Sequence, residues 1–537
     1  MNARATTSGL IKRAVSLHPD VVTIVVLGAV VVGATLRIVG LRWGLPIDLH
    51  PDEPVVVKGA LDLAKRHSFE PRFFDWPGHV EIQLSYLGYW LYSNVVKQTD
   101  ILAAHARNPG PFLLISRSIT AVFGIAMIIL AYLIGRRIDR WVGAIAAVLF
   151  ALTPMFVLDS HWATPDIPLT CMVMVATLAS MHYLARPRVS SLLLACSAVA
   201  VGIAIKYPAA IAAVVIAAVV IIAALREQRY TRVAVHGLLA IAATAVFLFF
   251  ISPVLFTNLT AVQESLSFAE RTAHPGADGL GWGGNLVFYA HAFLVGCGLL
   301  IVVAFLVGIV AAIRNRMVET IPLLIGGVYW VVLSAFALHW DRWGLPMYIT
   351  PLFFAAIGGV QAYRWASGRQ WRTPVAWVLA ALAVTNMTLG AATITANFAA
   401  PDARLAARTY LAGTGITVRN TSYEGYSPLR PGAPKTVFAE FTSVDGRLMP
   451  SNPQIRYLIL SSCMYSRYID EPKYVEEQAF YSSVDREFTL LRSYPTIDPT
   501  AGRAGFEPTD IIHSIGVAAS YLRGGMGGCD LKIYAVR

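Results

Sequence analysis

A few ionisable residues stand at the edges of long apolar runs. Asp52 and Glu53 are bracketed by Pro51 and Pro54, soon after the first such run. Asp166 lies in "HWATPDIPLT", Lys206 in "GIAIKYP", and His339, Asp341 and Arg342 in "LHWDRWGLPMY". Groups of this kind at membrane depth are costly unless they are paired or used. A carboxylate can take a proton from an attacking hydroxyl, and Lys and Arg can cradle a phosphate as charge-assisted donors. The set therefore suits an anionic lipid headgroup meeting a hydroxyl nucleophile. Taken singly, each residue also reads as a snorkelling interface anchor. Asp52 also reads as a helix N-cap, with Pro54 in the first turn.

The elements that must position these residues are membrane spans. Of the 537 residues, 56% are hydrophobic and 14% charged, whereas a soluble domain carries roughly 25% charged residues. A span needs about 20 apolar residues. That ruler gives about eleven candidates, near 21–41, 112–134, 141–158, 167–185, 189–204, 207–225, 233–254, 286–313, 319–338, 345–363 and 374–396. The pair 189–204 and 207–225 is divided only by Lys206-Tyr207-Pro208. The first run is followed by Arg37 and Arg42 rather than by a small-residue cleavage site, so no cleaved signal is expected. Arg37, inside that run, would snorkel outward or pair with a carboxylate.

With Arg4, Lys12 and Arg13 in the cytoplasm, alternate loops become cytoplasmic. These carry Arg136, Arg137 and Arg140; Arg186 and Arg188; Arg226, Arg229 and Arg232; Arg314 and Arg316; and Arg364, Arg369 and Arg372. All are basic, as the positive-inside rule requires. The formal net charge of +11 is thus explained by topology, and a nucleic-acid partner is set aside. All the residues singled out above then share the outer side.

Four outer pieces remain: the long loop 42–111, the short loop Asp159–Asp166, the segment 255–285 ending in "HPGADGLGWGGN", and the tail 399–537. After Pro54, Val56, Ala60, Leu63 and Ala64 share one helix face, which predicts an amphipathic helix lying along the outer leaflet. In the tail, "KTVFAEF", "IRYLILSS" and "DLKIYAVR" alternate as strands do, which predicts a small α/β or α+β domain. Cys171, Cys196 and Cys297 fall in apolar runs and read as packing residues. Cys463 and Cys529 lie in the outer tail, where an oxidising compartment favours a disulfide over two free thiols.

The order of these pieces resembles the membrane-embedded GT-C glycosyltransferases, closest to the branch holding protein O-mannosyltransferases and lipid A aminoarabinose transferases (glycosyltransferase family 39-like). Five short motifs carry the resemblance: Asp52-Glu53 after the first span, "FFDWPGHVEIQLSYLGYWLY" before a second loop helix, Asp166-Ile167-Pro168-Leu169, "VGIAIKYP", and Arg342 to Pro351. The Lys-Pro-Pro or His-Pro-Pro element of the branch is reduced here to Trp76-Pro77-Gly78-His79, so His79 or Glu81 would take its role.

The resemblance implies a polytopic α-helical membrane protein of about eleven spans with the GT-C fold. Residues 1–398 would form the catalytic membrane domain and 399–537 an extracytoplasmic soluble domain, in a bacterial cytoplasmic membrane. It implies inverting transfer of a sugar from a polyprenyl-phosphate donor to an acceptor hydroxyl of a glycan, lipid or protein on the outer face. Asp52, with Glu53, would be catalytic. Lys206 and Arg342 would bind the donor phosphate. Asp166, His79, Glu81, His339 and Asp341 would position sugar or acceptor. Some relatives place a divalent metal near the first loop; no clean ligand set is visible, and no metal or other cofactor is assigned. The rival readings are a flippase or transporter of a lipid-linked saccharide, which would place charges mid-span, and a non-catalytic scaffold with an outer binding domain.

Overall fold

The computed structural model describes residues 20–536, without 270–278, 368 and 470–472. Arg4, Lys12, Arg13 and the HPGAD part of the Gly-rich stretch lie outside the described residues. Among those described, seven helices are long and apolar enough to cross a membrane: Val21–Ile38, Gly110–Gly135, Asp166–Ala185, Tyr207–Arg226, Thr231–Ile251, Asp341–Ala366 and Arg372–Ala399. Shorter apolar helices Arg140–Leu152, Val189–Ile205 and Val318–Leu333 occupy three more of the expected runs.

The run 286–313, expected as one span, is two helices. Trp282–Cys297 and Leu299–Arg314 meet at 113°, with Gly298 between them at φ 90°. Only a residue without a Cβ adopts that backbone readily. The second helix packs on Ile349–Ala366 at backbone contact. A Cβ on Gly308 would lie 1.8 Å from the Phe354 carbonyl oxygen, and one on Gly358 1.9 Å from that of Ala304.

Arg37 neither snorkels nor meets a carboxylate. It is fully buried and donates to the carbonyls of Gly33, Phe150 and Ala151, each at 3.0 Å. The reason lies in Pro154, which has no N–H to offer Phe150 four residues back. The helix Arg140–Leu152 ends there, and the guanidinium takes over its orphaned carbonyls.

The first loop folds as helices Glu53–Arg66, His79–Trp90 and Ile101–Arg107. The apolar face of Glu53–Arg66 does not lie on lipid as expected. Val56, Ala60 and Leu63 are buried against Ile82, Tyr89 and Phe112, so protein covers it.

The tail contains a four-stranded sheet of order β1-β4-β6-β5, made of β1 Thr421–Tyr423, β4 Tyr457–Ser461, β5 Thr489–Tyr494 and β6 Leu531–Ala535. β1 pairs parallel to β4; the other two pairings are antiparallel. A separate hairpin joins β2 Phe441–Val444 to β3 Arg447–Pro450. "IRYLILSS" and "DLKIYAVR" thus hold β4 and β6. "KTVFAEF" instead runs into a 3-10 turn at Phe438–Glu440 before β2. One sheet face buries Leu458, Leu460 and Tyr534 under the helices Ser462–Ile469 and Val475–Glu487, and the other buries Ile459 and Ile533 under Ala403–Ala412. Cys463 and Cys529 form a disulfide across this domain.

Candidate active site

The residues singled out in the sequence come from five separate segments, and the fold gathers most of them at one end of the bundle. Asp52 precedes the helix Glu53–Arg66 at the N-cap position, but its side chain caps nothing. Its Oδ2 lies 2.6 Å from Nη1 of Arg342, with both side chains about a quarter exposed (25% and 24%). Burial alone would raise the Asp52 carboxyl; the Arg342 guanidinium outweighs it and holds the group below the ordinary carboxylate value. Beside it, His50 stacks on Trp162 with ring centroids 4.4 Å apart and accepts from the Asp52 backbone N–H at 3.3 Å. Burial pushes His50 down to about 3, so it stays neutral and does not compete with Arg342 as a cation.

A second pair lies alongside. Lys206 Nζ is 2.7 Å from Asp166 Oδ1 and 5.2 Å from the centre of the Trp343 ring. Lys206 leaves the helix Val189–Ile205 as its extended C-cap, and Asp166 opens the preceding helix, Asp166–Ala185, so both stand at helix ends. The pairs are close enough to feel each other: Arg342 is in electrostatic reach of Asp159 and Asp166 as well as Asp52.

Two further carboxyls are buried next to these pairs, each with at least one oxygen that has no hydrogen-bond partner among the described residues. Glu81 Oε2 has none, and neither oxygen of Asp159 has one. Glu81 is 2% exposed and Asp159 fully buried. Burial, then the charge of Asp166, pushes both carboxyls well above their ordinary values. Burial thus favours the protonated form of each, and each holds unspent hydrogen-bonding capacity in a crowded polar site.

Glu53, expected beside Asp52 in the chemistry, points the other way. Arg117 grips it at 2.6 and 2.8 Å, with both side chains fully buried (0%), and the Ala163 N–H adds a third bond at 3.1 Å. His79 is also spent on structure: one ring nitrogen faces the Phe73 carbonyl at 2.8 Å and the other the Ser252 hydroxyl at 2.5 Å. Burial pushes His79 down to about 4, so the neutral ring bridges two segments. His339 packs edge-on against Phe288. Asp341 is exposed and faces His339 and His291 rather than the paired charges. Asp159 and Arg117 were not singled out in the sequence. Asp159 could have been, since it shares the short loop with Asp166. Arg117 could have been, as a lone arginine inside an apolar run.

The tail reaches the same site from outside. Trp43 lies between two guanidinium groups, those of Arg117 and Arg404, each 5.3 Å from its ring. Its Nε1 donates to Asp402 at 3.1 Å. Arg404 in turn donates to the Leu49 carbonyl at 3.0 Å. The backbone leading to Asp52 is thereby held from the bundle side by Arg117 and from the tail side by Arg404.

Among the described residues, no group of three or more His, Cys, Asp or Glu is placed to share a metal ion. Two acid–base pairs, one of them partly open, with two buried carboxyls beside them, can bind a phosphate, release a carboxylate as base and hydrogen-bond a polyhydroxy group. The sequence model of the dolichyl-phosphate-mannose-protein mannosyltransferases matches residues 115–256. That segment includes Arg117, Asp159, Asp166 and Lys206. The chain is similar to the GT-C glycosyltransferases. Two crystal structures of ArnT from Cupriavidus metallidurans also match. The apo form is 15% identical at a TM-score of 0.45, covering 72% of each chain. The form bound to undecaprenyl phosphate is 15% identical at 0.43, covering 73% of this chain and 72% of that one. No curated protein matches.

Proposed function

We propose that this chain is an inverting glycosyltransferase. It would move a sugar from a polyprenyl-phosphate donor to an acceptor hydroxyl on the outer face of a bacterial cytoplasmic membrane. The observation that carries the reading is the open ion pair Asp52–Arg342 set beside the largely buried pair Asp166–Lys206. The membrane orientation is supported by the basic turns. Arg140 meets Asp20 at 3.2 Å and Arg364 meets Asp139 at 2.8 Å, so these turns share one end of the bundle, away from the candidate site.

In this mechanism the donor phosphate draws Arg342 and Lys206 to itself. Asp52 loses its counter-ion and becomes the stronger base, so the acceptor is activated only when the donor is in place. The acceptor oxygen attacks the anomeric carbon and gives its proton to Asp52. The carbon–oxygen bond to phosphate breaks, and the leaving phosphate keeps the electron pair, held by Arg342 and Lys206. No acid is needed to protonate it, so one carboxylate, Asp52, serves as the base. The free oxygens of Glu81 and Asp159 would hydrogen-bond sugar hydroxyls. Glu53 acts as a strut.

The test is transfer by the purified protein from a panel of radiolabelled polyprenyl-phosphate sugars to an envelope acceptor fraction. Consumption of one donor by the native protein, with loss in Arg342→Ala and Lys206→Ala, supports the reading. Donor bound but never consumed with acceptor present would replace it with a carrier or a binding protein.

A further inference from the structure

The tail helix Glu507–Leu522 is amphipathic in the wrong sense for a soluble domain. Its buried positions are Glu507, Asp510, Ser514 and Val517. Its outward positions include Ile512 (71% exposed), Ile515 (55%) and Leu522 (89%), with Phe506 (52%) just before it. No charged residue is exposed between Ala504 and Leu522. Polar groups face the bundle and apolar groups face away from protein.

Its depth explains the inversion. Arg503 donates to Asn386 at 2.8 Å, and the Tyr521 hydroxyl donates to Asn397 at 2.9 Å, so the helix rises beside the last part of Arg372–Ala399. Phe398 marks the end of the span, since it meets Gly40 just past the first membrane helix. Asn386 is twelve residues below Phe398, about 18 Å at the helical rise. Half a hydrocarbon core is about 15 Å. The segment before Glu507 therefore lies inside the membrane layer, and the helix climbs back out.

What it does there is also visible. The helix Leu299–Arg314 has 16 residues, about 24 Å, and stops short of a core about 30 Å thick. Its first N–H groups would be orphaned in lipid. The Gly505 carbonyl takes that of Leu299 at 2.8 Å, and Glu507 takes that of Leu300 at 2.6 Å. Arg503 is held by Asn386 and Ser514, and Asp510 accepts from the Ala504 N–H. The descending charges are thus spent inward.

We infer that residues 503–522 of the tail form a re-entrant element whose outer face of Phe506, Ile512 and Ile515 contacts the acyl chains of the bilayer. The face continues the exposed apolar surface of the neighbouring helices, at Val303, Leu306 and Val384. The inference rests on the membrane reading and is independent of the reaction.

The test places a thiol-linked, environment-sensitive fluorophore at Ile512→Cys or Ile515→Cys in the full-length protein in phosphatidylethanolamine/phosphatidylglycerol liposomes. Asp445→Cys, in the exposed β2–β3 turn, serves as the aqueous reference. The free cysteines are buried, and the unsubstituted protein gives the background. Acyl-chain doxyl lipids should quench the 512 and 515 sites several-fold more than the 445 site, and iodide several-fold less. Iodide quenching equal to that at 445 overturns the inference. Quenching by neither overturns it too, because protein would then cover the face. Footprinting of the unsubstituted protein needs no variant. A bilayer-soluble carbene should label Ile512 and Ile515, and aqueous hydroxyl radicals should spare them; the reverse pattern refutes lipid contact.

Discussion

Asp52 and Glu53 are neighbours in sequence, and each meets one arginine, yet the two pairs are opposite in kind. Glu53–Arg117 is fully enclosed, doubly bonded and completed by backbone groups on both sides. Asp52–Arg342 is a single contact with a quarter of each side chain open. An enclosed pair cannot exchange partners without leaving a charge bare in a low dielectric. An open pair can hand its cation to an incoming anion at little cost. On the proposed reading, these two neighbours divide into scaffold and chemistry by exposure, not by identity.

The comparison is broken most directly at Asp52. Asp52→Asn should lower turnover about 10³-fold, the scale of a lost general base, with thermal melting and donor binding unchanged. A collapse of stability instead would put Asp52 with the scaffold. Next comes Arg117→Leu, expected to cost about 3–5 kcal/mol because Glu53 is left buried and bare. Chemical denaturation should show much of this recovered in the Glu53→Leu, Arg117→Leu double variant. No recovery would mean that the carbonyl contacts of Arg117 matter more than the ion pair.

A third buried carboxyl sharpens the contrast. Glu424 in the tail has no cation beside it; it accepts from Tyr481 Oη at 2.5 Å and from the Ser461 N–H at 2.7 Å. Burial pushes it up to about 7, above its unfolded value, so the folded tail prefers the protonated acid. Its contribution is present below about pH 4.5 and is lost as pH rises through 7. Tail stability, read by hydrogen exchange in β4, should fall by about 2–3 kcal/mol between pH 5 and 8. Glu424→Gln should flatten that slope; an unchanged slope would remove Glu424 as its source. The smallest effect is expected at Trp43, between Arg117 and Arg404. Trp43→Leu should cost about 1–2 kcal/mol, the scale of two partly desolvated cation–π contacts. It should also lower kcat several-fold with KM for donor little changed, since it touches the support of Asp52 and not the donor.

Hydropathy made most of the bundle legible, because a long apolar run has few alternatives to a buried or lipid-facing helix. It could not reveal the break at Gly298, since both halves of that run are equally apolar. That Asp52, Asp166, Lys206 and Arg342 gather at one end of the bundle was legible from the alternation of basic and non-basic loops. Which of Asp52 and Glu53 would face Arg342 was not. That depends on the first-turn rotation of Glu53–Arg66, which is set when Val56, Ala60 and Leu63 meet Ile82. The sequence predicted an amphipathic helix there and misjudged its cover, because periodicity gives a face and not a partner. His79 shows a related limit: a histidine beside a proline-rich turn looks like chemistry, and the sequence does not reveal that both its ring nitrogens meet protein partners.

The close approach at Gly308 and Gly358 has a mechanical meaning. Two helices that touch backbone to backbone cannot slide or roll independently, so Leu299–Arg314 and Ile349–Ala366 behave as one stiff girder. The girder carries the tail-clamped elbow at Gly298 and the Arg342 turn at the same end. Asp52 is mounted on a different body, the first loop. The gap between base and guanidinium is then a calibrated clearance between two rigid parts. A single methyl at Gly308, well removed from either charge, should reset that clearance without touching the residues that define it.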